Sequence, residues 1–353
     1  MLGQDVLVPG VEGPPLLRRG VKLDGRYLGA LRSKGISSVW IQDALSEGVE
    51  PVRAISMETQ NKALRAVGAA LTDATDALTS GRGLSQKAVD ELSDVAALIA
   101  KEVHSSPDVA LHLADMMGAD QYLLQHVVDV TALGTVLAHR LFKEKGWVDH
   151  TGKRRRDSID PRLAKIALGL LLHDIGKLAI PDEVLQKPGK LDAAEWALVR
   201  QHPRLGADML GDHLSFLIRA VVKQHHERWD GSGYPDGIAG EQIHQFARIA
   251  AVADVYDAVT SDRVYRGAMR PVDGVTIIEQ GDGSDFDPEV VAVFSRVVMP
   301  YPVGSDVELA DGRWGVVAHV DPRSPYEPTV RVSNANGSIS EIERAMIAVP
   351  VSV

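Results

Sequence analysis

The sequence predicts a mainly α-helical protein with a small α+β module at its N-terminus and a small β appendage at its C-terminus. Apolar residues recur at helical spacing through most of positions 50–300, whereas valine-rich segments and Asp-Gly or Asn-Gly turns cluster after residue 301. A chain of 353 residues has the length of roughly two or three domains. We therefore expect four segments: 1–48, the α+β module; 49–117, a helical linker or regulatory segment; 118–300, an all-helical catalytic domain; and 301–353, the β appendage.

The N-terminal segment contains two strand-like runs and one short helix. The runs are Val6–Val8 and Val39–Ile41, and the helix is predicted over Tyr27–Lys34 with Gly35 at its C-terminal cap. None of these residues has catalytic character, so we expect a packing or sensing appendage.

Two amphipathic helices are predicted in the next segment. Their apolar residues repeat every three or four positions, which places each set on one helix face: Leu64, Val67, Leu71, Ala74 and Leu78, then Val89, Leu92, Ala96, Ile99 and Val103. We expect both faces to pack within the chain, and a homodimer seam is the alternative, although the repeat is too short to define a coiled coil. Ser106-Pro107 predicts the start of a third helix.

The composition excludes several classes of function. Hydrophobic residues make up 45% and charged residues 24% of the chain, as in ordinary globular proteins. No window approaches the roughly 18 apolar residues of a membrane span, and the N-terminus lacks a signal peptide pattern, so we expect a cytoplasmic protein. The absence of cysteine excludes disulfides and thiolate chemistry. A net charge of −10 argues against a long nucleic acid as partner but allows a small anionic ligand held by a metal.

Histidines and aspartates at the ends of apolar segments form the most informative pattern. His173-Asp174 follows the apolar run Ile166–Leu172, and Asp254 lies in a second apolar helix. A buried carboxylate without a partner is costly, so we expect metal binding. The candidate donors are His126, His173, His202, His225, His226, Asp174 and Asp254. This set exceeds the three protein ligands of a usual mononuclear catalytic site and favours two metals with a carboxylate between them.

The donor types also restrict the chemistry. Mixed nitrogen and oxygen ligands without thiolate fit iron or manganese, with zinc less favoured and calcium a poor fit. Two metals about 3.5–4 Å apart can share a hydroxide nucleophile and stabilise the oxygens of an in-line displacement at phosphorus.

Four motifs resemble those of the HD-GYP family, a subgroup of the HD-domain metal-dependent phosphohydrolases. They are His173–Lys177, His202-Pro203, His225–Pro235 and Asp254–Ala258, and they follow the family's order and spacing over about residues 118–298. The resemblance implies an HD-type helical bundle that hydrolyses the bacterial messenger cyclic di-GMP to linear pGpG or GMP.

The resemblance also implies roles for individual residues. The seven candidate donors match the family's metal ligands, and Asp174 would bridge two metals. Lys177 would contact a phosphate oxygen or assist the leaving group, and Tyr234 would face the substrate. Arg263 and Arg266 would bind the guanine or phosphate of the dinucleotide, because a forked guanidinium suits both.

One position in the family pattern determines the expected metal count. Some members hold a third metal through a glutamate four residues before the first histidine, and this chain has Tyr122 there. We therefore predict two divalent metals, iron first, then manganese, with zinc less favoured.

Several residues within the motifs are predicted to have structural roles. Glu227 could orient a ligand imidazole, and Asp230 could cap the turn that follows it. Residues 185–191 are expected to form a loop, and Asp192 is expected to cap the next helix in a capping box with Glu195.

The leading functional hypothesis is a cyclic di-GMP phosphodiesterase that uses a hydroxide shared by two metals. The first alternative is a catalytically weak sensor that binds a cyclic dinucleotide and signals to a protein partner through the terminal appendages. A second alternative keeps the enzyme but replaces the substrate with another cyclic dinucleotide or a nucleotide phosphate.

Overall fold

The computed structural model describes residues 1–8, 10–11, 13–34, 36, 39–50, 53–80, 82–105, 122–211, 214–261 and 268–348. Within these ranges, no helix combines the length and the apolar character that a membrane crossing requires.

The prediction of a mainly helical chain is confirmed. The α-helices of the described residues are α1 (Gly25–Ser33), α2 (Met57–Ser80), α3 (Gln86–Ser105), α4 (Tyr122–Glu144), α5 (Ile159–Leu172), α6 (Asp182–Leu185), α7 (Ala193–Val199), α8 (His202–Leu210), α9 (Phe216–Gln224), α10 (Gln245–Thr260), α11 (Pro271–Gln280) and α12 (Pro288–Val297). One continuous hydrophobic core extends from Ala54 on the chain segment before α2 to Val298 after α12. The division of this helical part near residue 118 remains a prediction.

Helix α5 lies at the centre of the bundle, packed against α3, α4 and α9. The helix ends at Leu172 with His173 as its cap, and the chain continues into a short 3₁₀-helix, Ile175–Ala179. Gly176 in this 3₁₀-helix lies against α8, because a Cβ atom there would come within 2.5 Å of the Gly206 backbone nitrogen. The close approach brings His173 and Asp174 next to the first residue of α8, His202.

The two predicted apolar stripes pack inside the chain. Helix α3 packs against α5, and α2 packs against α3 and α4. Leu64, Val67, Leu92 and Ile99 are buried in the common core, whereas Leu78 near the end of α2 is 38% exposed. The third helix expected at residues 106–107 lies outside the described residues.

The N-terminal module has a small core of its own but differs from the prediction in its strands. Leu2, Val6, Leu31 and Ile36 form the core. The strand-like runs make only isolated bridges, Leu2 with Ile41 and Val6 with Leu17, because neighbouring residues pair with different segments and no ladder continues. The helix agrees with the prediction and has Lys34 as its cap, whereas residue 35 lies outside the described residues.

The C-terminal β appendage is confirmed as an antiparallel sheet. Its strands β3 (Asp306–Glu308), β4 (Trp314–His319), β5 (Thr329–Ser333) and β6 (Ile339–Ile342) pair in sequence order, and we number them after a short hairpin, β1 (Trp147–Val148) and β2 (Arg154–Arg155). The hairpin lies within the polar insert between α4 and α5. Its pairing was not predicted, because two-residue strands are too short to give an alternating pattern.

Candidate metal centre

Three of the predicted donor histidines lie at helix ends, where backbone carbonyls lack partners within the helix. His173 and His225 follow the last residues of α5 and α9, and His202 begins α8 directly after α7. In each case Nδ1 lies close to a backbone carbonyl oxygen of the preceding turn. The distances are 2.7 Å from His173 to Leu170, 2.9 Å from His225 to Val222 and 2.8 Å from His202 to Val199.

These contacts fix the tautomer of each ring. A carbonyl oxygen only accepts hydrogen bonds, so Nδ1 carries the proton and Nε2 carries a lone pair. The lone pairs of His202 and His225 face each other, with the two Nε2 atoms 3.2 Å apart. Two lone pairs at this distance repel unless a cation lies near both, so the geometry fits metal ligands.

Asp174 lies between two groups of imidazoles. Its Oδ1 is 3.4 Å from His202 Nε2 and 3.9 Å from His225 Nε2. Its Oδ2 is 3.5 Å from His173 Nε2 and 3.8 Å from His126 Nε2. Each oxygen therefore faces its own pair of nitrogens, which is the arrangement that a carboxylate between two cations requires.

The remaining donors join the same cluster. One group that could hold an ion consists of Asp174, His202, His225 and His226, and a second consists of His126, His173 and Asp174. Asp254 contacts both groups, with its Oδ1 3.3 Å from His126 Nε2 and its Oδ2 3.7 Å from His226 Nδ1. The structure thus brings together all seven residues that the sequence nominated.

Electrostatics favour the ligating forms of four of these side chains. The exception is His126: burial lowers its pKa, but Asp254 and Asp257 raise it to about 10, so a bound metal would displace the Nε2 proton. Burial lowers the pKa of His225 well below its usual range and that of His226 to about 3, so both rings are neutral. Burial alone would protonate Asp174, but Lys177 and the neighbouring imidazoles hold its pKa well below the usual range. His126 and His226 do the same for the pKa of Asp254. Neutral nitrogens and anionic oxygens are the forms that bind divalent cations.

Unpartnered polar atoms support the same conclusion. His173 Nε2 and Asp174 Oδ1 are buried, and neither has a hydrogen-bond partner among the described residues. Buried polar atoms in native proteins are nearly always satisfied, so these atoms point to a missing partner of positive charge. Imidazole and carboxylate donors fit divalent iron, manganese or zinc.

Asp257 is a residue of the site that the sequence reasoning missed. Its Oδ2 lies 2.6 Å from His126 Nδ1, and both side chains are buried. The carboxylate accepts a hydrogen bond from the Nδ1–H group, and Nε2 faces Asp174 and Asp254. The sequence contained one indication that Asp257 belongs to the site: it lies three residues after Asp254 on an apolar helix, so both side chains project from one face.

Two motif residues that we expected to be structural can be compared with their observed contacts. Glu227 is buried, and its Oε1 accepts from the Asp236 backbone nitrogen at 2.7 Å, so its observed role is to hold the loop rather than to orient an imidazole. Asp230 accepts from the Ser232 nitrogen and caps the turn as predicted. The capping box of Asp192 and Glu195 at the start of α7 is also confirmed.

The structure describes two of the four predicted substrate residues, Lys177 and Tyr234. Lys177 Nζ lies 2.5 Å from Asp174 Oδ2, so its observed partner is the shared carboxylate. The Tyr234 ring stacks on His226 with centroids 4.7 Å apart. Arg263, Arg266 and the Tyr122 side chain lie outside the described residues.

Comparisons with known proteins agree with this centre. The HD domain family matches residues 132–290. A cyclic di-GMP phosphodiesterase of Pseudomonas aeruginosa is 36% identical over 94% of this chain and 82% of its own length. The cyclic di-GMP phosphodiesterase response regulator RpfG of Xanthomonas campestris is 44% identical over 37% of this chain and 35% of its own. A 3'3'-cGAMP-specific phosphodiesterase of Vibrio cholerae is 41% identical over 34% of this chain and 24% of its own.

The Pseudomonas relative spans nearly the whole chain, so the similarity includes both terminal units as well as the helical bundle. Six of the seven clustered donors also lie within the HD domain match, and His126 lies just before it. The chain is therefore an enzyme of the HD-GYP family of metal-dependent HD-domain phosphohydrolases.

Proposed function

We propose that this protein hydrolyses cyclic di-GMP to linear pGpG, GMP or both, at a centre of two divalent metals. The observation that carries the proposal is Asp174, whose two oxygens face separate imidazole pairs at 3.4–3.9 Å. Two of the relatives named above are cyclic di-GMP phosphodiesterases, which supports the substrate.

Most of the candidate residues would act in phosphodiester hydrolysis by holding the metal ions. Bound divalent ions would lower the pKa of water and offset charge on the phosphoryl oxygens. His126, His173, His202, His225 and His226 would hold these ions together with the two aspartates. With all five imidazoles bound in their neutral form, two divalent ions and the two aspartates would leave a net positive charge on the centre, which would attract an anionic phosphodiester.

Lys177 and Tyr234 would act on the substrate from the edge of the centre. The Lys177 side chain is 28% exposed and its ammonium touches Asp174, so it lies where it could donate to a phosphate oxygen or a leaving 3′-oxygen. Burial raises the pKa of Tyr234 further above its usual range, so its phenol stays protonated and can donate a hydrogen bond.

A turnover assay with defined metals tests the proposal. The protein is freed of metal, reloaded with iron, manganese or zinc, and incubated with cyclic di-GMP before the products are separated. Linear pGpG or GMP is the expected product with iron or manganese. No linear product with any of the three metals would refute the proposal, and elemental analysis of the same samples tests the count of two.

A second substrate is supported by the Vibrio relative that is specific for 3'3'-cGAMP. Guanine and adenine dinucleotides share the phosphodiester on which the metal centre would act, so the centre alone does not select between them. Turnover of cyclic di-GMP, 3'3'-cGAMP and simple nucleotides in parallel separates these substrates. Tight binding without turnover would favour the sensor hypothesis.

A further inference from the structure

A pocket of about 600 Å³ opens beside the metal centre and contains no residue assigned to metal binding. Trp196, Arg200 and Tyr234 line it, and we name it the side pocket. The Tyr234 ring also stacks on His226, a predicted ligand, at 4.7 Å. A single aromatic ring therefore connects the pocket with the metal donors.

Trp196 gives the side pocket an exposed aromatic surface. It lies on α7 and is 48% exposed, although a tryptophan of a helical bundle usually packs into the core. The helix that carries it is anchored, because Lys187 Nζ contacts both oxygens of Glu195 at 2.7 and 2.6 Å while Glu195 completes the capping box. The indole is thus exposed on a helix whose start is held in place by these contacts.

Arg200 gives the same pocket an available cation. Its guanidinium carbon lies 5.4 Å from the Tyr234 ring centroid, and it makes no ion pair within the described part of the chain. Arg204, the next arginine on the pocket wall, is paired with Asp236 at 2.5 Å. The guanidinium donors of Arg200 can therefore face a ligand.

We propose that the side pocket binds a guanine base of the cyclic dinucleotide, with Trp196 as the stacking surface and Arg200 as the reader of the base edge. The inference rests on the proposed function and adds residues that determine base specificity. An indole stacks on any base, whereas a guanidinium donates in pairs to the O6 and N7 atoms of guanine. Adenine has an amino group in place of O6, so the same guanidinium does not pair with it.

The location of the pocket favours a base over other ligands. A dinucleotide that places its phosphodiester on the metal centre carries a base one sugar away, and the side pocket lies one aromatic ring from that centre. The pocket presents a flat apolar face and one cation, which fits a purine with acceptor atoms on its edge.

The test uses two variants and a matched control. Trp196→Ala should raise the KM for cyclic di-GMP about 10–100-fold with a smaller change in kcat, because stacking stabilises the bound base. The ratio of kcat/KM for cyclic di-GMP to that for bis(4-nitrophenyl) phosphate, which has no base, should fall at least about tenfold. Trp314→Ala removes another exposed tryptophan, 64% exposed on the C-terminal sheet, and should change neither value.

Arg200→Gln tests the reading of the base edge. Glutamine pairs with adenine N6 and N7, so the preference for cyclic di-GMP over cyclic di-AMP should fall about tenfold or more, and Arg200→Lys should restore part of it. Equal losses on both dinucleotides and on the base-free substrate would overturn the proposal, because they would indicate a structural role.

Binding of a hydrolysis-resistant ligand separates this inference from the proposed function. Calorimetry of a phosphorothioate analogue of cyclic di-GMP with the metal-loaded protein should show weaker binding for Trp196→Ala than for Trp314→Ala. If the loaded enzyme does not hydrolyse cyclic di-GMP but this difference in binding persists, the proposed function is wrong and the base-binding role of the side pocket is supported. Equal binding by the two variants, or no binding by the wild type, would refute the base-binding role of the side pocket.

Discussion

Replacing Asp257 with asparagine should weaken metal binding, although Asp257 is not among the seven predicted ligands and contacts the centre through His126. Its Oδ2 lies 2.6 Å from His126 Nδ1, and both groups are buried. Asparagine keeps the shape and one acceptor oxygen but removes the negative charge. The His126 ring then becomes a weaker donor at Nε2, the atom 3.3 Å from Asp254.

The magnitude follows from the strength of such contacts. A buried hydrogen bond to a charged group contributes about 1.5–3 kcal/mol. Removing a carboxylate that orients a ligand histidine typically lowers metal affinity about 10–100-fold, which corresponds to about 1.4–2.7 kcal/mol. The two ranges agree, so we expect a metal Kd about 10–100 times higher for Asp257→Asn.

Metal competition with a chelator measures this Kd directly. Asp273→Asn is the matched control, because Asp273 on α11 pairs with Arg270 at 2.8 Å and its side chain is 37% exposed, whereas Asp257 is buried. Asp257→Ala should lose more affinity than Asp257→Asn, since it also removes the acceptor atom. A Kd within twofold of the wild type for Asp257→Asn would refute the role assigned to this carboxylate.

Three further changes have outcomes that the structure predicts. Burial lowers the pKa of His139 from 6.5 to about 4, so the neutral ring stabilises the fold fully above pH 6.5 and this stability is lost as the pH falls toward 4. In urea unfolding, the stability lost between pH 7 and pH 5 should therefore be smaller for His139→Gln than for the wild type by up to about 2 kcal/mol. Gly176→Ala should destabilise the protein by about 1–3 kcal/mol and weaken metal binding, because its Cβ would meet the α8 backbone. Gly29→Ala is the control: no atom lies within 4 Å of a Cβ there, so the midpoint of thermal unfolding should stay unchanged or rise. Free metal at 100 times its Kd should stabilise the protein by about 2.7 kcal/mol for each occupied site, and a chelator should reverse the shift in Tm.

Local patterns in the sequence were enough to predict α2 and α3 and to identify the seven candidate donors that the structure brings together. Helical periodicity depends only on residues a few positions apart, which is why α2 and α3 matched their stripes. The capping box at Asp192 was visible for the same reason. His173 and Asp174 were recognised because charged or polar side chains rarely follow an apolar run such as Ile166–Leu172 without a partner.

Contacts between distant residues could not be predicted in this way. Asp257 and His126 are separated by 131 positions, and only the packing of α10 against α4 brings them together. Glu227 was expected to orient an imidazole, but the fold of the loop places the Asp236 backbone within its reach instead. The carbonyl partners of the ligand histidines depend on where each helix ends, and helix ends are the least certain part of a prediction from sequence.

The donor arrangement makes bound cations part of what holds the folded site together. Asp174, Asp254 and Asp257 place three carboxylates in a buried region where unpaired charge is costly. Lys177 is the one lysine that pairs with them in the described part of the chain, and it touches only Asp174. The Nε2 lone pairs of His202 and His225 face each other at 3.2 Å and need a positive partner. Metal binding should therefore be coupled to folding as well as to catalysis, so variants that lose a ligand should show lower thermal stability and lower activity together.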